Sequence, residues 1–204
     1  MFYIYCLVFY LIGSIPTAYI LVKLKYKKNL TEEGSGNIGA RNTLDVTQSK
    51  SDGVIVLLVD LLKGLLPSLF LIMYSELNRE EMIIPMTLLV AGHNFSIWLK
   101  FKGGRGLSTA AGVFIAVDFL IVLIWLAAYF LAEVFVKNVN VSTVIALLIL
   151  PLAFIIFPGF ILNFINPLLT GYYEQTFCLI LIISVCTVII LKHIKPLREW
   201  WFIK

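Results

Sequence analysis

The chain has 204 residues, of which 60% are apolar and only 14% are charged, with a formal net charge of +4. A soluble domain is typically roughly 45–50% apolar and about 25% charged, and a soluble fold of this size could not bury so much apolar surface. The composition therefore argues against a soluble enzyme, a disordered chain and a nucleic-acid-binding protein. The basic excess instead fits a membrane protein whose basic residues lie on one side of the bilayer.

Runs of about 20 apolar residues predict membrane-spanning helices. In chain order the six candidates are residues 2–22, 54–74, 82–99, Phe119–Val136, 142–165 and 172–191. A shorter apolar run, Leu107–Val117, is too short to cross a bilayer of ordinary thickness unaided. It is either a short crossing helix in a protein-packed site or a re-entrant segment. We identify no internal repeat or linker, so residues 1–204 are predicted to form a single polytopic membrane domain.

The placement of charge favours seven spans over six. With an external N-terminus and a crossing by Leu107–Val117, the cytoplasmic segments are 23–53, 100–106, 137–141 and 192–204. All basic residues except Lys63 and Arg79 then lie in these segments: Lys23, Lys25, Lys27, Lys28, Arg41, Lys50, Lys100, Lys102, Arg105, Lys137, Lys192, Lys195, Arg198 and Lys204. Six spans fit the positive-inside rule less well. We predict an all-α integral membrane protein with seven transmembrane helices, an external N-terminus and a cytoplasmic C-terminus.

The segment after the first span is rich in glycine and reads Gly34-Ser35-Gly36-Asn37-Ile38-Gly39-Ala40-Arg41-Asn42. Its glycines let backbone N–H groups turn toward a ligand without obstruction by a Cβ atom. Ser35, Asn37 and Asn42 add neutral hydrogen-bonding groups. The loop suits a phosphate or a polar head group, although most loops of this composition are simply turns.

A second glycine-rich loop, Lys102-Gly103-Gly104-Arg105-Gly106, precedes the short apolar run. Two cations among glycines at the start of a helix favour an anion, because the helix dipole and the free amides act in the same direction. The alternative is a basic loop that only sets the topology. The glycines weaken that alternative, since topology requires charge and no glycine.

Several polar residues inside predicted spans are candidates for function, because polar groups there are costly and tend to face the protein interior. Asp60 and Lys63 lie three residues apart on one helix face and form either a structural ion pair or part of an anion site. His93 and Asn94 lie in the third span, where the histidine is either a structural hydrogen-bonding group or a functional one. His193 lies beside two lysines at the end of the last span, as a surface anchor would.

These motifs in this order resemble the bacterial acyl-phosphate:glycerol-3-phosphate acyltransferases, the PlsY family. The resemblance covers essentially residues 1–193 and rests on the stretches Gly34-Ser35-Gly36-Asn37-Ile38-Gly39-Ala40, Asp60-Leu61-Leu62-Lys63-Gly64, Gly92-His93-Asn94 and Phe101-Lys102-Gly103-Gly104-Arg105-Gly106. It implies a seven-span enzyme of the bacterial inner membrane. Such enzymes transfer an acyl group from acyl phosphate to the 1-hydroxyl of glycerol 3-phosphate, giving lysophosphatidate and phosphate in the first step of phospholipid synthesis.

The resemblance also implies roles for individual residues. We predict that the catalytic residues are Ser35, Arg105, Ser142 and His193. We predict that substrate and phosphate are bound by Gly34, Gly36, Asn37, Asn42, Lys63, His93, Asn94, Lys102, Gly103, Gly104 and Gly106, with the backbone N–H groups of Gly103 and Gly104 on a phosphate. The expected partners are the two substrates, the lipid bilayer and the enzyme that produces acyl phosphate, with no nucleic acid. No metal or organic cofactor is implied.

Two motifs depart from the family pattern. Asp45 stands where the family usually has an arginine in the first loop, with Arg41 in place of a threonine one turn earlier, and Pro196 replaces an asparagine after His193. A carboxylate that faces a phosphate costs energy. An impaired paralog that acts as a membrane interaction protein is therefore one alternative. A small anion transporter is another, although the sequence lacks the inverted repeat or paired broken helices of such folds.

Overall fold

The computed structural model describes residues 1–157 and 175–203, and the regular elements in these ranges are all helices. They are α1 (Phe2–Ser14), α2 (Thr17–Tyr26), α3 (Ala40–Thr47), α4 (Lys50–Tyr74), α5 (Arg79–Asn94), a 3-10 turn (Ile97–Leu99), α6 (Leu107–Val117), α7 (Phe119–Val136), α8 (Val139–Ile156) and α9 (Gln175–Ile203). Within the described ranges, six segments are long and apolar enough to span a membrane. The prediction of an all-α integral membrane protein is confirmed.

The first predicted span, residues 2–22, is broken into two helices at Ile15 and Pro16. Proline lacks a backbone N–H and interrupts the helical ladder, so carbonyl groups before it need other donors. The Ser14 carbonyl accepts a hydrogen bond from Ser96 Oγ at 2.5 Å, and the Ile15 carbonyl accepts one from Lys63 Nζ at 3.0 Å. The break is therefore satisfied by side chains from two other parts of the fold.

The third apolar span ends at Leu99, as residues 82–99 predicted, but its α-helix, α5, stops at Asn94. The carbonyl groups of His93 and Asn94 accept hydrogen bonds from Gly104 and Gly103, at 3.0 and 3.2 Å, instead of continuing the helix. The chain thus folds back on the end of α5. Apolarity alone gave no signal for this reversal.

The last two predicted spans are described only in part. Residues 158–165 and 172–174, which include Glu174, lie outside the described ranges. Helix α9 continues beyond the predicted end at residue 191 and includes both His193 and Pro196. His193 is therefore a residue inside a helix, and its 1% exposure does not fit the alternative of a surface anchor.

Two helix pairs cross at glycines. A Cβ on Gly13 of α1 would overlap the Leu89 carbonyl of α5, and one on Gly92 of α5 would overlap the Tyr10 carbonyl of α1. Helices α4 and α6 cross in the same reciprocal way, at Gly64 and Gly112. Small residues allow such close backbone approach, which drives helix association inside a membrane. These crossings fix α4, α5 and α6, the helices that lead into the functional loops.

Burial separates central helices from peripheral ones. Helix α5 has nine buried residues, whereas Ile121 and Ala132 are the two buried residues of α7. Large apolar side chains of α7 point outward, such as Phe130 at 62% and Phe135 at 78% exposure. Lipid is the environment that accommodates such a surface. The short helix α6 has seven buried residues, so it is enclosed by protein.

Candidate active site

The first glycine-rich loop is organised by the buried side chain of Asn42. Its Oδ1 accepts the Ser35 backbone N–H at 2.9 Å, and its Nδ2 donates to the carbonyls of Glu33 and Asn37, at 3.1 and 2.9 Å. The side-chain amide of Asn42 therefore makes its hydrogen bonds to the backbone of the loop. The predicted substrate-binding role of Asn42 stays a prediction, and its observed role is to shape the loop that presents Ser35.

Two glycines allow that loop shape. Gly34 and Gly36 have φ angles of +58° and +68°, a region that favours glycine. A Cβ on Gly34 would also overlap Asn42 Oδ1. Both residues, predicted to bind substrate, therefore hold the turn in which Ser35 is exposed and Asn37 half-buried.

The second glycine-rich loop packs on the end of α5. The N–H groups of Gly103 and Gly104 donate to the carbonyls of Asn94 and His93, so the structure gives them a different partner from the predicted phosphate. A Cβ on Gly104 would overlap both the His93 imidazole and the carbonyl oxygen of Ile38. The two glycine-rich loops thus meet at Gly104.

Gly106 ends this loop and begins α6. Its φ of +79° is again a left-handed value, and a Cβ there would overlap Asn94 Oδ1. Asn94 is fully buried and donates from Nδ2 to the Val188 carbonyl of α9 at 3.1 Å. Both residues, predicted to bind substrate, connect α5, α6 and α9 and so fix the direction in which Arg105 leaves the loop.

A third loop, between α7 and α8, supplies residues that the sequence analysis missed. Asn138 caps α8, since its Oδ1 accepts the backbone N–H groups of Asn140 and Val141, at 3.0 and 3.2 Å. The Asn140 side chain is left free to accept a hydrogen bond from Arg105 Nη1 at 2.5 Å. An asparagine before an apolar run is a sequence signal for a helix start. That signal predicts the start of α8 but does not show that Asn140 contacts Arg105.

The three loops enclose a cleft of about 330 Å³ at one end of the helices. Its lining residues are Ser35, Asn37, Arg41, Asn42, Asp45, Arg105, Lys137, Asn138, Val139 and Asn140. Of the predicted site residues, the cleft brings together Ser35, Asn37, Asn42 and Arg105. Asp45, which departs from the family pattern, lines the same cleft.

Arg105 is the half-buried cation of this cleft. Burial and the nearby positive charge of Arg41 lower the pKa of the Arg105 guanidinium from its usual value. An arginine stays protonated in a protein even so. The cleft therefore holds a fixed positive charge whose direction is set by Asn140.

Two predicted catalytic residues are buried and do not belong to the cleft lining. Ser142 follows the cap of α8 by four residues, is fully buried, and its Oγ has no hydrogen-bond partner among the described residues. His193 is buried on α9, where its Nδ1 lies 2.9 Å from the Ile189 carbonyl, and its ring is within electrostatic range of Arg105. Their catalytic roles stay predictions.

A second group of predicted residues forms a separate buried cluster. Lys63 Nζ lies 2.9 Å from Asp60 Oδ1 and 3.1 Å from His93 Nδ1, and it also donates to the Ile15 carbonyl. Lys63, Asp60 and His93 are at most 9% exposed. The structure therefore places Lys63 and His93 in an ion cluster between α1, α4 and α5, outside the residues that line the cleft. Lys102 is exposed and also lies outside that lining.

The fold and the cleft define a polytopic helical membrane protein with a cationic, hydrogen-bonding site where its loops converge. A family model for glycerol-3-phosphate acyltransferase matches residues 3–201. The chain belongs to that family, as the resemblance predicted.

Individual relatives support the same family assignment. The chain is 35% identical over 192 residues to a glycerol-3-phosphate acyltransferase of Lactococcus lactis, covering 93% of this chain and 85% of the relative. It is 36% identical over 152 residues to one from Pelagibacter ubique, covering 74% and 77%. A crystal structure of PlsY, an integral membrane glycerol 3-phosphate acyltransferase in its glycerol 3-phosphate form, matches with a TM-score of 0.79 and 25% identity, covering 98% of this chain and 92% of that one.

Proposed function

We propose that the cleft is the site at which this chain transfers a fatty acyl group from acyl phosphate to the 1-hydroxyl of glycerol 3-phosphate. The products are lysophosphatidate and inorganic phosphate. The prediction of an acyltransferase is confirmed by the family to which the chain belongs. The observation that carries the site assignment is Arg105, held at 2.5 Å by Asn140 and facing the loop of Ser35 and Asn37 across one cleft.

Acyl phosphate is a mixed anhydride, so the enzyme needs no covalent intermediate. The glycerol hydroxyl oxygen forms the new ester bond to the acyl carbon, and the bond from that carbon to the phosphate oxygen breaks. The phosphate leaves with the electron pair, and one of its oxygens takes the hydroxyl proton. Atoms and charge balance, and the protein contributes position and electrostatics.

Arg105 supplies the electrostatic part. Negative charge grows on the leaving phosphate as its bond to carbon breaks, and a guanidinium in a partly dry cleft offsets that charge. The hydrogen bond to Asn140 restricts the conformations of the Arg105 side chain before substrate binds. Ser35 and Asn37 offer neutral groups to the glycerol hydroxyls from the opposite wall.

We infer that α6 is the seventh crossing, within one polytopic domain. The loop before α6 and the loop after α7 both line the cleft, so the chain leaves the cleft face along α6 and returns along α7. Enclosure by protein lets an 11-residue helix make that passage, because its neighbours meet the lipid. The basic loops on this face favour a cytoplasmic cleft, an external N-terminus and a cytoplasmic C-terminus.

The setting follows from the same arguments. We infer that the chain lies in the inner membrane of a bacterium, where its cleft would meet soluble glycerol 3-phosphate and the bilayer would meet the acyl chain. An enzyme that produces acyl phosphate is its expected partner. The family match does not favour an impaired paralog or an anion transporter.

The test is a single-turnover assay of the purified chain in lipid bilayers, with acyl phosphate and radiolabelled glycerol 3-phosphate. We expect lysophosphatidate and inorganic phosphate in equal amounts, no labelled acyl-enzyme, and no product when acyl-CoA or acylated carrier protein replaces acyl phosphate. Absence of lysophosphatidate above an empty-bilayer control would sink the proposal. A stable acyl-enzyme would contradict direct attack.

A further inference from the structure

We propose that Arg41 is a second phosphate-binding residue, which holds the phosphate group of a substrate together with Arg105 across the cleft. The inference rests on the proposed function and names a specificity-determining residue of that site. It starts from the position of Arg41 on α3 and from the lack of an ion pair to it within the described residues.

Arg41 lines the cleft from α3, and Arg105 lines it from the loop before α6. Beyond burial, the positive charge of Arg41 lowers the pKa of the Arg105 guanidinium, and the carboxylate of Glu199 raises it by less. Neither arginine forms an ion pair with a carboxylate within residues 1–157 and 175–203. Arg41 is exposed and Arg105 is half-buried. Two guanidiniums that line one cleft without an ion-pair partner repel each other, and an anion between them removes that repulsion.

Helix stability does not explain Arg41. It is the second residue of the eight-residue α3, where the positive end of the helix dipole disfavours a cation. Asp45 lies in the last turn, where the dipole disfavours an anion. In a helical pair four residues apart, an acidic residue before a basic one is the more stabilising order, and Arg41 and Asp45 have the reverse order. Both charges are therefore placed against the local preference of the helix, and both line the cleft.

The third cation of the cleft supports the same ligand. Lys137 ends α7 with a φ of 51° and lines the cleft beside Asn138. Arginine matches the oxygens of a phosphate with two parallel hydrogen bonds, whereas lysine acts as a point charge. The arrangement fits a dianionic phosphomonoester bound between two arginines, with Lys137 at the rim. Glycerol 3-phosphate and acyl phosphate both carry a phosphate group, so the test must distinguish them.

The test compares Arg41→Ala with Arg198→Ala, an exposed arginine of α9 outside the cleft lining. KM is measured for glycerol 3-phosphate with acyl phosphate saturating, and then the reverse. We expect Arg41→Ala to raise one of these KM values about 10- to 100-fold, the range of one charge-assisted hydrogen bond. Arg198→Ala should change neither KM more than about twofold. The substrate whose KM rises is the one that Arg41 binds.

A second measurement separates binding from folding. The KM of Arg41→Lys should lie between those of wild type and Arg41→Ala, because lysine keeps the positive charge but cannot form two parallel hydrogen bonds to a phosphate. If Arg41 binds glycerol 3-phosphate, Arg41→Ala should lower the preference for it over uncharged glycerol, while a folding defect would lower both rates equally. Unchanged KM values in an active enzyme, or equal losses for both acceptors with no KM change for acyl phosphate, would overturn the inference and leave the proposed function standing. A wild-type chain without product would overturn both.

Discussion

Lys63 and Arg105 are both cations in a mostly apolar chain, and both belong to glycine-containing motifs, yet their surroundings are opposite. Lys63 has an aspartate, a histidine and a backbone carbonyl within 3.1 Å and is 9% exposed. Arg105 has one neutral side-chain partner, Asn140, and opens onto a cleft. The protein pairs the first cation with its own groups, whereas the second forms no ion pair with any residue that the structure describes.

This difference indicates what each cation does. A cation with a complete set of protein partners has no capacity left for a ligand, and removing one partner leaves a buried charge. A cation that lacks a carboxylate gains most from a bound anion. The buried cluster therefore contributes to folding, and the cleft contributes to the reaction.

The largest effect is expected at the buried cluster and concerns stability. Lys63→Met leaves the Asp60 carboxylate buried and unpaired, which should lower the free energy of unfolding by about 3–5 kcal/mol. The double variant Asp60→Asn/Lys63→Met should recover a large part of this loss, because neither charge remains. Thermal unfolding in detergent measures both variants, with the exposed Lys50→Met of the same helix as the control.

The KM of Lys63→Met for glycerol 3-phosphate tests the same division between the buried cluster and the cleft. The folded fraction of Lys63→Met should keep the wild-type KM for glycerol 3-phosphate, because Lys63 lies outside the cleft lining. A large rise in that KM with unchanged stability would erase the distinction between the two regions.

The next effect is at Arg105 and concerns rate. Arg105→Ala should lower kcat about 10²- to 10³-fold, the loss typical of removing one group that stabilises transition-state charge. Its unfolding temperature should stay near wild type, because the side chain is half-exposed and has one hydrogen-bonded partner. Arg198→Ala is the matched control. Retention of more than about a third of wild-type kcat would show that the cleft is not where charge develops.

Asn140 should give an intermediate effect, because it positions Arg105 and touches no reacting atom. Asn140→Ala should lower kcat/KM about tenfold through a more mobile arginine. Asn140→Asp should lower kcat/KM further than Asn140→Ala, since a carboxylate would pair with Arg105 and neutralise the charge that binds phosphate. If kcat/KM were higher for the aspartate variant than for the alanine variant, Arg105 would not act through its charge.

The smallest effect is expected at Asp45, an exposed carboxylate on the cleft wall. Asp45→Asn should lower the KM for the anionic substrate about two- to fourfold, since a unit charge at about 8 Å in water changes an interaction by roughly 0.5 kcal/mol. The gain should shrink as salt is raised from 20 to about 500 mM, because salt screens exposed charges. A higher KM in this variant would assign Asp45 a positive role in binding.

The fold was largely accessible from the sequence because membrane helices follow apolar runs. Phe119–Val136 and Leu107–Val117 coincide with α7 and α6. The end of α5 was missed because the carbonyls of His93 and Asn94 bond to Gly104 and Gly103, a tertiary contact without a local pattern. The break at Ile15 was missed although Pro16 is visible, because the apolar run continues through it.

The site was accessible only in part. Ser35, Asn37, Asn42 and Arg105 were identified from their motifs and line one cleft. Lys137 counted only toward topology, and Asn138 and Asn140 were not singled out, since the contact of Asn140 with Arg105 joins residues 35 positions apart. Lys63 and His93 were grouped with the substrate site because a sequence shows their charge and polarity but not their partners.

The most direct test of the division between cleft and cluster is a crystal structure of the chain with glycerol 3-phosphate bound. We expect phosphate oxygens within hydrogen-bonding distance of Arg105, between the loop of Ser35 and the start of α8, with the contacts among Asp60, Lys63 and His93 unchanged. A phosphate bound beside Lys63 and His93, with the cleft empty, would contradict it.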